Sequence, residues 1–392
     1  MVTTCLAGPP IARSGWPLTE FVRTVFGSLP RADQRRWADV YLRGLLSTPG
    51  RKTMKRLAGQ MCGSPSAGQA LQQFITSSPW DWHEPRAALA RLAARRLPDH
   101  VWVAGTFVAE KRGGRSVGVG RRFVPGLGAT VNCQVGVGLF LVSTTEAVPV
   151  DWSLVLDGGW REDGALRRRA RIPDTADGRS AWECALDMVA DAAGAPRVQR
   201  PPLVADLTVT GDLARITGVL ASARAEFLVR IRPDHPVLEH SSGAAQPLSA
   251  ALSTAEHVIR EGGAHSRVAL SRYDDGTGPA EVRSALVQLP GQREPGRPPR
   301  RYRLFALDAT DETGQPQFWL STLHRRGMGY VCSLMRRQQL VRDTLETLGE
   351  SYGLMDFEGR SFPGWHHHMT MVSAAYAYRR LYPAGTAARL SA

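Results

Sequence analysis

Residues 101–142 read VWVAGTFVAEKRGGRSVGVGRRFVPGLGATVNCQVGVGLFLV. Three runs in this stretch have strand character. Val101 to Gly105 is short and apolar, Ser116 to Phe123 carries Val117 and Val119 at alternate positions, and Asn132 to Val142 is rich in Val, Leu and Phe. Alternating or continuous β-branched and aromatic residues favour strands, and Gly113, Gly114, Gly126 and Gly128 fall where turns belong. The pattern predicts an antiparallel meander whose first strand ends at Gly105 and Thr106.

Upstream, residues 18–97 carry apolar residues at three- and four-residue spacing in five segments separated by Pro30, Pro49, Pro65 and Pro79. This predicts an all-helical N-terminal domain behind a disordered tail at 1–17. Arg51–Met61, a Gly63-Ser64 turn and Ala67–Ile75 fit a helix-turn-helix pair, with Lys52, Lys55 and Arg56 on the side that would meet phosphates. Two short helices joined by a glycine turn are equally common in ordinary helical domains, so both readings stand.

Downstream, residues 151–173 give a short strand, a turn and the basic run Arg167, Arg168, Arg169 and Arg171. Residues 181–193 fit an amphipathic helix. Leu203 to Ala205 is a brief apolar strand ending in Asp206, followed by a helix over 212–223 and a strand over 227–231. Strand–helix–strand order defines an α/β unit, and such folds place chemistry at the C-terminal ends of strands. Residues 98–232 and 301–382 thus form two parts of one α/β core. Residues 233–300 read as a β-rich insertion closing in a basic loop at 291–301, and 383–392 as a tail.

The 392 residues carry a formal net charge of +13, with lysine only at 52, 55 and 111 and arginine everywhere else. Such a balance favours a polyanionic partner, and arginine forks suit phosphate, although GC-rich coding also raises arginine content. No run of about eighteen apolar residues exists, which excludes a membrane span by that criterion. The N-terminus lacks a secretory h-region. Five widely spaced cysteines with no CxxC pair predict reduced thiols in the cytoplasm, with neither disulfides nor a zinc site. The glycine-rich GVGRRFVPGLG lacks the Walker lysine pattern, and no serine or cysteine sits in a nucleophile elbow.

Several segments together resemble the DDE transposases of bacterial insertion sequences. They are SVGV at Ser116–Val119, GLGATVNCQVGV at Gly126–Val137, WREDGALRRRARIP at Trp160–Pro173, VAD at Val204–Asp206 and EGRSFPGWHHH at Glu358–His368, in the family's order over roughly residues 20–382. The resemblance implies an RNase H-like core behind a helical N-terminal domain, a double-stranded DNA partner, action as a homodimer, and association with the nucleoid. It also implies a mechanism in which three carboxylates hold two Mg²⁺ or Mn²⁺ ions for phosphoryl transfer.

Carried over residue by residue, that triad is mostly missing. The family's paired aspartates fall on Gly105 and Thr106, the second acid falls on Asp206, and the glutamate of the late helix falls on Arg342. One of three ligands remains, and one has become a cation. At about 4 Å and an effective dielectric near 20, like charges cost on the order of 4 kcal/mol per unit of metal charge. The expectation is therefore a transposase-like DNA-binding protein without DDE catalysis and without a metal cofactor. The alternative is a Mg²⁺- or Mn²⁺-dependent enzyme whose site is rebuilt from Glu110, Asp206 and Glu346, with Asp212 and Glu350 as further acids. His366, His367 and His368 are consecutive, so on a helix they spread over about 200° and cannot face one ion. They read as a structural or phosphate-contacting cap, and Trp365 as a core anchor.

Overall fold

A computed structural model of the chain describes residues 17–61, 66–176, 178–192, 201–209, 212–239, 252–268, 280–292, 299–310 and 316–383. Most of the predicted tails, the Gly63-Ser64 turn, parts of the expected β-rich insertion and the middle of the basic loop at 291–301 lie outside the described residues.

Five helices open the chain: α1 (Leu18–Phe26), α2 (Ala32–Ser47), α3 (Met54–Met61), α4 (Ala67–Thr76) and α5 (His83–Arg96). Strands β1 (Val101–Glu110), β2 (Gly120–Val124), β3 (Ala129–Val142) and β4 (Ala147–Val155) follow, then helices α6 (Gly158–Glu162), α7 (Gly164–Ala170) and α8 (Ala181–Ala192). Next come β5 (Leu203–Asp206), α9 (Leu213–Ser222), β6 (Phe227–Ile231), β7 (Pro236–Glu239), β8 (Leu252–Thr254), α10 (Ala255–Gly262), β9 (Ala264–Val268) and β10 (Ala280–Gln288). The chain closes with β11 (Tyr302–Thr310), β12 (Pro316–Ser321), α11 (Met328–Tyr352) and α12 (Phe362–Leu381). The protein is mixed α/β and divides into two compact units. Residues 1–100, 105–194 and 340–392 form the first, and residues 101–104 and 195–339 the second.

The first unit is built around α12. Sixteen of its residues, including every position from Gly364 to Tyr378, are buried. A helix buried on all sides occupies the middle of a core, and α12 packs against α2, α4, α5 and β4. Ser361 caps it by accepting from the Gly364 N–H at 3.2 Å, and Pro363 sits in the first turn, where its missing N–H has no cost. The N-terminal helices therefore share a core with the end of the chain.

In the same unit β3 lies between β2 and β1, and β4 also pairs with β3. The expected meander is corrected in two respects. First, β1 continues past Gly105 to Glu110. Second, Ser116–Val119 is not strand, so β2 begins only at Gly120 and sits at the sheet edge, away from β1. A glycine explains the second. Gly118 takes φ +73°, which ends any extended run there, yet Val117 and Val119 still point into the core. The Gln134 amide donates to the Val117 carbonyl at 2.6 Å and fixes this irregular segment.

In the second unit, Trp102 and Val103 of β1 pair in parallel with Leu203 and Val204 of β5, which pairs in parallel with β6. These strands are almost wholly apolar, as parallel strands buried on both faces must be. Beyond β6 the order is β12, β11, β10, β7, β8. The segment expected as an insertion joins this sheet, since β10 pairs with β11 from Val282↔Leu307 to Val287↔Tyr302. Helix α10 was not legible in the sequence; Thr254 caps it, accepting from the His257 N–H at 3.2 Å. Among the described residues no helix is long and apolar enough to cross a membrane. Cys133, Cys184 and Cys332 are buried free thiols.

Candidate functional site

In the first unit, one of the two positions expected for the leading carboxylates, Gly105, is closed. Gly105 is half-buried on β1, and a Cβ placed there would lie 2.6 Å from Val341 Cγ1, 3.3 Å from Leu345 Cδ1 and 3.5 Å from Phe140 Cε2. Val341 and Leu345 sit one turn apart on α11 and, with Phe140, are buried. A β-branched side chain on a helix has essentially one comfortable rotamer, so Val341 cannot swing away cheaply. Two further glycines extend the same apolar packing. A Cβ at Gly136 would strike Phe107 at 2.3 Å, and one at Gly138 would strike Trp152 at 2.6 Å. Phe107 and Phe140 each pack edge-on to Trp152 with centroids 5.6 Å apart. Thr106 is exposed on the other face of β1, and Glu110 is exposed at its end. On α11, Arg342 is half-buried while Glu346 and Glu350 are exposed.

In the second unit, Asp206 closes β5 at the C-terminal end of the parallel strands. Its Oδ1 accepts from the Thr208 N–H at 2.9 Å and from the Thr208 hydroxyl at 2.6 Å. Its Oδ2 faces Arg230 Nη1 at 3.4 Å. The register of β5 with β6 places Asp206 opposite Arg230, so strand pairing itself builds this ion pair. Both oxygens of Asp206 are thus directed to protein donors. Asp212 caps α9, accepting from the Arg215 N–H. Among the described residues no group of three His, Cys, Asp or Glu is arranged to hold a metal ion. Taken separately, the apolar packing at Gly105 and the guanidinium against Asp206 do not fit the metal ligands that the resemblance places there.

The triple histidine is internal, and each ring is directed to a different place in the first unit. His366 Nδ1 lies 3.1 Å from Arg86 Nη2, its carbonyl accepts from the same guanidinium at 2.9 Å, and its ring stacks on Trp82. His367 points Nδ1 at the Ile75 carbonyl and Nε2 at the Trp80 carbonyl, at 2.8 and 2.9 Å, and stacks on the Trp80 ring. Burial, the larger cause, pushes its pKa down to about 4, against the two carbonyls that favour the protonated ring. His368 Nε2–H donates to the Gly353 carbonyl, and its Nδ1 accepts from the Tyr41 hydroxyl, both at 2.9 Å. Burial again lowers its pKa to about 4. These rings tie α12 to α2, α4 and α5; buried as they are, they cannot contact phosphate.

The expected cationic residues separate into two groups. Lys52 is corrected: it is buried, donates from Nζ to the Thr48 carbonyl, and gives its backbone N–H to Asp356 at 2.7 Å. Burial lowers its pKa and Asp356 partly restores it. Arg167 also turns inward, its guanidinium donating to the carbonyls of Pro173 at 2.8 Å and Ala176 at 3.2 Å. Arg171 has the left-handed conformation at the end of α7 and donates to the Thr76 carbonyl. Arg56 is exposed and holds the Pro49 carbonyl at 2.9 Å. Lys55, Arg168 and Arg169 are exposed. Sequence reasoning missed Arg86, which is buried and reaches Thr370, Asp151, Trp152 and His366 together. It also missed Arg230; the only available signal was its place four residues into a strand parallel to the one ending in Asp206.

Residues 24–258, more than half of the chain, match the family described as DDE superfamily endonuclease, and the chain belongs to that family. No curated protein matches it. Among solved structures it is similar to the piggyBac transposase in a synaptic complex with hairpin DNA. The identity is 11% and the TM-score 0.38, over 92% of this chain and 63% of that one, so it spans less than two thirds of that transposase.

Proposed function

We propose that this chain is a DNA-binding member of the DDE family, with an RNase H-like core, that no longer performs two-metal phosphoryl transfer. The observation that carries the reading is the wall at Gly105, where a Cβ would stand 2.6 Å from Val341. Of the two positions on which the leading acids fall, Gly105 is closed by a packed valine, and Thr106 is exposed and carries no acid. The salt bridge and the Thr208 bonds on Asp206 support the same reading. What remains is a basic molecule, +13 overall, with Lys55, Arg168 and Arg169 exposed to meet phosphates in the cytoplasm, alongside nucleoid DNA.

Two measurements on the full chain test this. Duplex binding by fluorescence anisotropy should weaken by about three orders of magnitude between roughly 50 and 200 mM salt if several phosphates are contacted. A nicking assay on supercoiled plasmid with Mg²⁺ or Mn²⁺ should show no cleavage. Cleavage that disappears in Asp206→Ala would overturn the reading in favour of a site rebuilt from Glu110, Asp206 and Glu346. Duplex affinity that ignores salt would remove the DNA role.

A further inference from the structure

The hairpin formed by β2 and β3 carries a feature that the loss of catalysis does not explain. Among the described residues of the first unit, Phe123 and Leu127 are the only large apolar side chains left exposed, at 64% and 53%. Single exposed apolar residues are ordinary on protein surfaces, but two on one hairpin tip are not. The tip is preset: Pro125–Leu127 makes one tight turn, and Gly128 closes it at φ +60°. Five cross-strand pairs, from Gly120↔Cys133 to Val124↔Ala129, hold the ribbon behind it.

The two faces of the ribbon differ. Strand alternation places Arg121 and Phe123 on one face, opposite Asn132 and Thr130. Arg121 is exposed like Phe123. On the other face Arg122 is retained by the protein, donating to the Val155 carbonyl at 2.9 Å and lying 3.8 Å from Asp157. At the root of the ribbon, the Asn132 amide ties down the preceding loop by donating to the carbonyls of Lys111 at 2.7 Å and Gly113 at 3.3 Å. That loop exposes Arg112 and Arg115; of the acids beside it, Glu110 is exposed, while Asp356 and Glu358 are paired with Arg51. The ribbon therefore presents Phe123 and Leu127 at its tip, Arg121 on the Phe123 face, and Arg112 and Arg115 at its root.

We infer that this ribbon is a DNA wedge: Phe123 and Leu127 enter a duplex between neighbouring base pairs while Arg112, Arg115 and Arg121 hold the flanking phosphates. Apolar wedges of Phe and Leu, framed by cations, unstack base steps in this way, and pyrimidine–purine steps yield most easily. The inference rests on the DNA-binding reading above. A second copy of the chain is the weaker occupant. The ribbon's rim is arginine-rich, and Gly120 and Pro125 at the two ends of β2 discourage strand addition along that edge.

The test uses duplexes carrying 2-aminopurine at a TA step, whose fluorescence rises on unstacking, together with anisotropy for affinity. The wild-type chain should bind and raise the fluorescence. Phe123→Ala/Leu127→Ala should abolish the rise and weaken binding by about tenfold or more, the scale of losing a base–aromatic stack, with the salt slope unchanged. Phe123→Trp should keep the rise. Both side chains are exposed, so a circular dichroism melt should show the double variant folding as the wild type does. Wild-type binding without a fluorescence rise, or equal affinity in the double variant, would overturn the inference while leaving the DNA-binding reading intact. A double variant that changes the oligomeric state by light scattering and binds DNA normally would assign the tip to a copy–copy contact instead. Absence of any wild-type duplex binding would sink the reading and the inference together.

Discussion

Gly105→Ala isolates the wall from all questions of charge. In open space this change should stabilise the protein by about 0.4–1 kcal/mol, because alanine leaves the unfolded chain fewer conformations to lose. Here the added methyl meets Val341 Cγ1 at 2.6 Å and Leu345 Cδ1 at 3.3 Å. Forcing a methyl into a packed core typically costs about 1–3 kcal/mol. The clash outweighs the entropy, and the expected net loss is about 1–2 kcal/mol, a fall in Tm of about 1–4 °C by calorimetry. The partner is specific, so the double variant with Val341→Ala should recover at least about 1 kcal/mol relative to additivity. Gly105→Asp restores the family's residue but should fall further, since the carboxylate enters an apolar packing. If that position can still hold an ion, Mg²⁺ at a hundred times its Kd would return about 2.7 kcal/mol to Gly105→Asp. A rise in Tm for Gly105→Ala, or a Mg²⁺-dependent rise for Gly105→Asp, would refute the closed wall.

Arg86→Met should cost about 3–5 kcal/mol, because it strands Asp151 and two carbonyls that the guanidinium now satisfies; a loss under about 1 kcal/mol by urea titration would contradict the central role given to it. The buried His368 has a pKa near 4, below its unfolded value of about 6.5, so the unfolded chain takes up the proton first as pH falls. Its contribution is therefore intact above about pH 6.5 and is lost progressively toward pH 4, by about 3 kcal/mol. His368→Gln should flatten the stability decline between pH 7 and 4.5 by about 2–3 kcal/mol, and an unchanged pH profile would show that this ring is not held neutral. Arg168→Ala/Arg169→Ala should reduce the slope of log affinity against log salt by about 2 if each arginine neutralises one phosphate; an unchanged slope would place the DNA elsewhere.

Periodicity found the elements where one residue type dominates a face. The five N-terminal helices, the strand ending in Asp206 and the final helix all lie near their expected positions. It failed where a buried position needs no strand. Val117 and Val119 alternate because both fill the core from an irregular segment hinged at Gly118, and alternation alone cannot distinguish that from a strand. Contacts between distant segments were likewise hidden. Nothing local in RKTMKR indicates that Lys52 turns inward to Thr48 beside Asp356, while Lys55 stays outside. The missing acids were countable from the motif spacing. That the vacated position at Gly105 is filled by Val341 was not countable, because it depends on a helix more than two hundred residues away.

The placement of α12 also has a consequence in time. The helix that α2, α4 and α5 close around follows α5 by more than two hundred residues, so these helices leave the ribosome on the order of tens of seconds before their scaffold exists. Until then Tyr41 lacks its His368 partner, and the faces of α2, α4 and α5 that pack on α12 stay uncovered. A premature stop before Phe362 would therefore not release a usable helical fragment. It would leave a sticky one, so message truncation should deplete this protein by aggregation and proteolysis.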